Sequence, residues 1–307
     1  MGNIRQVAIV GAGAMGAAYA AMFTDAVGFD VCFLARGQRY ERLKNKSYLV
    51  NDRLYHFKAV HADTVSEPAD LVIVALKHHH LAGAVHDIQK LVGPETAILS
   101  VMNGLESEAI IGAVCGMDKL VYAIAVGIDA VHENNRFTYA NPGKIVFGPA
   151  TEGDNCPSLD RIREALNRAA IPNEVPSDIM RAMWWKFMVN VGINQTSAVL
   201  GAPYAVFHAS NEARELMRSL MAEVVLLAQR AGVDLSATDL DEWDDILMTL
   251  SPTGKTSMLQ DVEAGRKTEV EIFGGHVVAL GDNYHVATPV NATVMRIIKV
   301  IEYRSGR

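Results

Sequence analysis

The chain has 307 residues, half of them hydrophobic and 21% charged, with a formal net charge of −7. This composition supplies ample material for buried cores and excludes a disordered chain, and the length suggests two domains of about 150 residues each. The acidic balance excludes a general nucleic-acid or membrane-surface binder, so an anionic cofactor needs a local basic patch.

Residues 4–10 form a short apolar run ending in Gly11, a buried-strand signal, and residues 14–26 read as a helix. Residues 30–34, 71–76 and 97–102 read as further strands. Alternation of strands with helices implies a parallel sheet covered on both faces. Strands are also expected over 120–130 and 144–147, with a turn at Asn141-Pro142-Gly143. Residues 151–157 read as a loop and 158–170 as a helix, and 171–175 as a last strand. From Ser177 onward the period is helical: 177–200 with Ser177 as N-cap, 211 to Gly232, 239–250, 268–280 and 291–302. The acidic stretch 239–245 reads as a solvated helix face. The expected fold class is therefore α/β, a Rossmann-type doubly wound domain over 1–176 followed by an all-helical substrate and catalytic domain over 177–307.

Cys32, Cys115 and Cys156 have neither metal-ligand nor redox spacing, which fits reduced thiols in a cytoplasmic protein. The N-terminal residues lack signal-peptide organisation, and the uncharged run 7–23 falls short of a membrane span. His78, His79 and His80 are adjacent, but no carboxylate or thiol at ligand spacing joins them, so no metal site is expected.

Gly11-Ala12-Gly13-Ala14-Met15-Gly16 fits G-x-G-x-x-G between an apolar strand and a helix. Gly11 permits the tight turn, Gly13 lets the backbone approach a pyrophosphate, and Gly16 lets helix and strand pack closely. The helix N-terminus then offers free N–H groups to the phosphates. At the end of the second strand, where NAD binders usually carry an acid for the ribose, stands Arg36, with Arg39 and Arg42 nearby. A planar guanidinium suits a 2′-phosphate, which favours NADPH/NADP. Lys77 and Asn103-Gly104 close two further strands, where ligands of open α/β sheets pass.

Lys186, Asn190 and Asn194 recur every four residues among apolar neighbours, so a helix carries them on one face. Buried polar groups need partners, and this row suggests the lining of a cleft. A lysine ammonium can protonate the alkoxide left by hydride delivery to a ketone, while asparagines orient a substrate without competing charge. Ser257 and Glu269 belong to a second polar cluster. Twelve residues of unbroken helix span about 18 Å. Either the chain bends near Gly265 or the two residues serve different parts of a ternary complex, and from spacing alone capping roles for both are favoured.

Taken in order, GAGAMG, Arg36, Lys77, Asn103-Gly104, the Lys186/Asn190/Asn194 helix, and TSMLQD followed by Gly265-Arg266-Lys267-Thr268-Glu269 resemble the ketopantoate reductase family over nearly the full chain. The resemblance implies NADPH-dependent reduction of 2-dehydropantoate to (R)-pantoate. It implies Lys186 as general acid, and Asn190, Asn194 and Ser257 on a small 2-oxo acid. Asn103, which would also touch the substrate, and Glu269, a second catalytic residue, would lie at the nicotinamide-ribose end and help position the reaction, with Ala130 near the cofactor. Arg36 and Lys77 would hold the adenosine-phosphate end. Tyr204 stands near the place where some members carry a supporting asparagine. The competing expectations are a reductase of another branched or aromatic 2-oxo acid, a β-hydroxyacid dehydrogenase, and a non-catalytic NADPH-binding regulatory protein. The apolar helical half is consistent with a homodimer.

Overall fold

Residues 2–133, 136–150 and 156–306 are described by the structure, a computed structural model. The chain forms two units, Met1–Met180 and Arg181–Arg307.

The first unit runs β1 (Gln6–Val10), α1 (Ala14–Asp25), β2 (Asp30–Ala35), α2 (Gly37–Lys44), β3 (Tyr48–Val50), β4 (Arg53–Tyr55), β5 (Lys58–His61), β6 (Leu71–Val74), α3 (Leu81–Gln89), β7 (Ala97–Ser100), α4 (Ser107–Cys115), β8 (Leu120–Val126), β9 (Val131–Glu133), β10 (Arg136–Thr138), β11 (Lys144–Gly148), α5 (Leu159–Arg168) and β12 (Asn173–Glu174). Its main sheet has the order β12-β11-β8-β7-β6-β1-β2-β5. All neighbours pair in parallel except β8 and β11. The chain moves outward from β1 to β2 and β5, then returns to β6 on the other side of β1, so the topological switch lies between β1 and β6. Dinucleotides bind at the carboxyl end of such a switch. The register matches Val10 with Val74 and Val74 with Ser100. Gly11, Lys77 and Asn103 therefore all follow the carboxyl edge of adjacent strands.

The strands end earlier than their apolar runs suggested: β6 stops at Val74 and β7 at Ser100. Likewise β8 stops at Val126, just before Gly127 takes a positive φ. A second sheet, β4-β3-β10-β9, has no counterpart among the sequence expectations. Its strands have three residues each, too few for an alternating pattern to register. The rings of Tyr48 and Phe137 lie 5.4 Å apart and join Tyr19 and Phe23 of α1 in one core. The expected loop over 151–157 falls largely on residues 151–155, outside the described residues.

The second unit consists of most of α6 (Ile179–Leu200), then α7 (Tyr204–Ala209), α8 (Asn211–Arg230), α9 (Ala237–Thr249), α10 (Ser257–Glu263), a π-helical turn over Glu271–Gly275, α11 (His276–Tyr284) and α12 (Pro289–Arg304). α6 starts one residue later than a Ser177 N-cap implies, so Asp178, not Ser177, precedes its first turn. The helix expected over 268–280 is split: residues 266–270 form no regular helix, and the π turn leads into α11. The acidic stretch 239–245 is not simply a solvated face. Asp239 is 3% exposed, completes a capping box with Ser236 and pairs with Arg181 at 2.7 Å, while Arg218 binds Asp241 and Asp244.

A polar strut fixes α6 within this unit. The buried carboxylate of Glu223 accepts from the backbone N–H groups of Val290 and Asn291, at 2.8 and 3.0 Å, and from Asn291 Nδ2 at 2.7 Å. It thereby satisfies orphan donors at the start of α12 with an anion at the positive end of the helix. Asn291 Oδ1 in turn accepts from Gln195 Nε2 at 2.9 Å. α6 is thus tied to α8 and α12 at the residue next to Asn194.

Candidate active site

The glycines of the first turn differ in what a Cβ would meet. Gly11 has φ +116°, and a Cβ built there would lie 2.3 Å from the carbonyl oxygen of Ala75. A Cβ on Gly16 would lie 1.8 Å from the carbonyl oxygen of Gly11. Both glycines are required by the protein's own packing. Gly13 is different: it is exposed, its φ is −78°, and a Cβ there would meet nothing within 4 Å. Nothing in the fold demands a glycine at this position. Gly13 sits at the N-cap of α1, where the N–H groups of a helix start can receive a phosphate. Ala12, Ala14 and Met15 are half-buried around the turn. These residues fit a dinucleotide pyrophosphate.

Arg36 lies at the N-cap of α2, one residue past β2. Its guanidinium is held by two carboxylates. Nη1 and Nη2 reach Asp63 at 2.8 and 2.7 Å, while Nε and Nη2 reach Asp87 at 3.0 and 2.8 Å. Asp63 also binds Lys90 Nζ at 2.6 Å. Lys90 first, and Arg36 after it, hold the Asp63 carboxyl below its usual range. Arg39 Nη2 lies 2.9 Å from His80 Nε2. Desolvation, then Arg39, push His80 down to about 4, so its imidazole is neutral and accepts this bond. Lys77 caps the 3-10 turn His78–His80 and is half-buried, as is Asn103 beyond β7. Ala130 is half-buried and immediately precedes β9. Among the described residues no cluster of His, Cys, Asp or Glu is arranged to hold a metal ion.

In the second unit, Lys186, Asn190 and Asn194 do share one face of α6, as their spacing implied. Lys186 and Asn190 are half-buried, whereas Asn194 is 5% exposed. Asn194 joins two sites that lie far apart in sequence. Its Oδ1 accepts from Ser257 Oγ at 3.2 Å and from the backbone N–H of Met258 at 3.4 Å. Its Nδ2 donates to Asn190 Oδ1 at 3.2 Å. A backbone N–H can only donate, so it fixes which end of the Asn194 amide is oxygen. That polarity passes along the chain and leaves Asn190 with its NH2 as the end not used within it. Ser257 spends its proton on Asn194, so its remaining lone pairs can only accept.

The start of α10 is held on α6 a second time. Thr256 Oγ1 caps α10 by accepting from Leu259 N at 3.2 Å and bonds Ser197 Oγ at 2.5 Å. α10 ends in a Schellman turn: Gly265 has φ +56°, its N–H bonds Val262 O at 2.9 Å, and Arg266 N bonds Asp261 O at 2.7 Å. The chain therefore bends at Gly265, and Glu269 does not lie on the helix of Ser257; it is half-buried before the π turn. Tyr204 opens α7, and a Cβ on Gly254 would lie 2.8 Å from its ring, so the ring packs on the loop that leads to Ser257. Sequence spacing gave no sign of Asp63, Asp87, Lys90, Thr256 or the Met258 N–H.

Comparison with known proteins gives this arrangement a family. Residues 7–152 match the model "Ketopantoate reductase PanE/ApbA", and residues 178–302 match "Ketopantoate reductase PanE/ApbA C terminal". The chain belongs to the ketopantoate reductase family. Within it, the 2-dehydropantoate 2-reductase of Archaeoglobus fulgidus is 26% identical over 98% of this chain and 99% of its own length. The fold matches that of D-mandelate dehydrogenase with NADH and anilino(oxo)acetate, with a TM-score of 0.88 at 20% identity, covering 98% of this chain and all of that one. It also matches a dimeric ketopantoate reductase from Staphylococcus aureus, with a TM-score of 0.81 at 21% identity and the same coverage. Family membership makes the chain an oxidoreductase with a Rossmann-type domain and a nicotinamide dinucleotide as cofactor. Among the described residues, no helix is long and apolar enough to cross a membrane.

Proposed function

We propose that this chain is a cytoplasmic, homodimeric NADPH-dependent reductase that converts 2-dehydropantoate to (R)-pantoate on the route to pantothenate and coenzyme A. The observation that carries the reading is the hydrogen-bonded chain from Asn190 through Asn194 to Ser257, set on the same helix face as Lys186. Such a face offers one cation and a set of oriented neutral groups, which suits a small anion bearing a ketone and a hydroxyl.

Gly11, Ala12, Gly13, Ala14, Met15 and Gly16 take the pyrophosphate, and Arg36 and Lys77 take the adenosine-phosphate end. Asn103, Ala130 and Glu269 line the nicotinamide-ribose end. When bound, the reduced nicotinamide supplies a hydride to the ketone carbon. Lys186 then donates a proton to the carbonyl oxygen and stabilises the negative charge developing there. Asn190 directs its NH2 at the oxo acid. Ser257 accepts from the substrate hydroxyl, since its own proton is given to Asn194. Asn194 acts through these two by fixing their polarity.

The test follows nicotinamide absorbance with ketopantoate beside a panel of other 2-oxo acids, with NADPH and with NADH. Turnover of ketopantoate preferring NADPH supports the reading. Turnover of a different 2-oxo acid alone moves the chain to a sister activity, and tight NADPH binding without turnover on any acid points to a regulatory protein.

A further inference from the structure

We propose that Asp63 and Asp87 set the preference between the two nicotinamide dinucleotides, by holding Arg36 as an internal ion pair that a 2′-phosphate must displace, with Lys90 retaining the released carboxylates. This rests on the reading of Arg36 as the 2′-phosphate ligand.

A guanidinium has five N–H donors. Here Nε gives one to Asp87, Nη1 gives one to Asp63, and Nη2 gives one to each. Only one N–H, on Nη1, is left outside these bonds. Both forked edges that would grip a phosphate in pairs are occupied. A 2′-phosphate reaching Arg36 in this arrangement also meets two carboxylates of its own sign. NADH, with a neutral ribose hydroxyl, meets no such repulsion. The clamp therefore opposes NADPH selectively.

Its opening is made cheap by two features. Arg36 and Asp63 are about half exposed, at 47% and 51% of their side chains, so their pairing is weakened by solvent, whereas Asp87, at 13%, is the firmer half of the clamp. Asp63 also keeps Lys90 at 2.6 Å, and Lys90 stands 4.0 Å from Asp87. When Arg36 turns to the phosphate, neither carboxylate is left without a cation. The elements that bring these groups together are fixed by the sheet. The register sets Ala35 beside His61, which places Asp63 next to Arg36, while α3 delivers Asp87 and Lys90 follows directly after it.

The test measures dissociation constants of NADPH and NADH for the full chain by calorimetry, in Asp63→Asn, Asp87→Asn, Lys90→Gln and Arg36→Gln. Each Asp→Asn change should raise the NADPH-over-NADH affinity ratio about three- to fivefold, the size of a screened like-charge contact near a surface. Lys90→Gln should lower the ratio, because the carboxylates then hold Arg36 more tightly. In the Arg36→Gln background these changes should act more weakly, because only the direct interaction of these charges with the 2′-phosphate remains. An Arg36→Gln ratio equal to wild type overturns the reading of Arg36 and the clamp with it. A ratio that collapses in Arg36→Gln, yet is unmoved or lowered by both Asp→Asn changes, overturns the clamp alone. Should an Asp→Asn variant fail to fold, Lys90→Gln decides, and an unchanged or raised ratio there counts against the proposal.

Discussion

Ser257 gives its hydroxyl proton to the side-chain oxygen of Asn194 at 3.2 Å, across 63 residues of sequence. The same oxygen takes the N–H of Met258, and the same amide gives a proton to Asn190. Asn194→Ala removes one acceptor from two donors and one donor from Asn190, at a position 5% exposed. It should cost about 1–3 kcal/mol in denaturant unfolding, lower kcat and raise KM for the oxo acid. Ser257 is exposed, so Ser257→Ala should cost no more than about 0.5 kcal/mol and act mainly on KM. Equal destabilisation by the two changes, with KM untouched in both, would make the chain of bonds purely structural.

The three glycines of the turn should separate by what their missing Cβ would meet. Gly13→Ala has open space and an ordinary φ, so its melting temperature should stay within about 2 °C of wild type. Its dinucleotide affinity should fall at least about tenfold, because the methyl stands where the pyrophosphate approaches. Gly11→Ala and Gly16→Ala meet backbone at 2.3 and 1.8 Å and should lose stability even without cofactor. Undiminished affinity in a folded Gly13→Ala would place the phosphates elsewhere.

These positions also mark what was legible beforehand. The glycine turn and the Lys186/Asn190/Asn194 face were readable because their meaning lies within one turn or one helix. The bond from Asn194 to Ser257 was not, since nothing local in either segment specifies how α10 packs on α6. Asp63 and Asp87 are 27 and 51 residues from Arg36, and only sheet register and the path of α3 bring them to it. The strands β3, β4, β9 and β10 are too short to show a period. Asp239 was misread for another reason: Ser236 three residues before it is a capping-box signal, and the surrounding acids masked it. The break before Glu269 was half legible, because Gly265 offered a positive φ but only the Schellman bonds decide that the helix stops there.

Lys186→Ala should reduce kcat by about 10²- to 10⁴-fold, the range expected when a positioned general acid is lost. Lys186 is assigned to the oxo acid, so the dissociation constant for NADPH should change less than about threefold, within the spread of a change that leaves cofactor contacts intact. Stopped-flow hydride transfer beside calorimetric NADPH binding separates the two quantities. A collapse of cofactor affinity in step with turnover would make Lys186 a cofactor ligand in place of an acid.

His80 should leave a pH signature of definite sign. Desolvation, then Arg39, His79 and Lys77, lower its pKa from 6.5 to about 4 in the folded chain. Between those values the unfolded chain takes up a proton that the folded chain refuses, so stability falls as pH falls through this window and is unaffected well above it. The imidazole is only half-buried, which keeps the effect modest. His80→Gln retains an acceptor for Arg39 and removes the titration. Melting temperatures taken at about pH 7 and about pH 5 should fall further in wild type than in His80→Gln, by the contribution of this one site. Parallel falls in the two proteins would mean that His80 takes its proton as readily folded as unfolded, and that Arg39 is not held by a neutral imidazole.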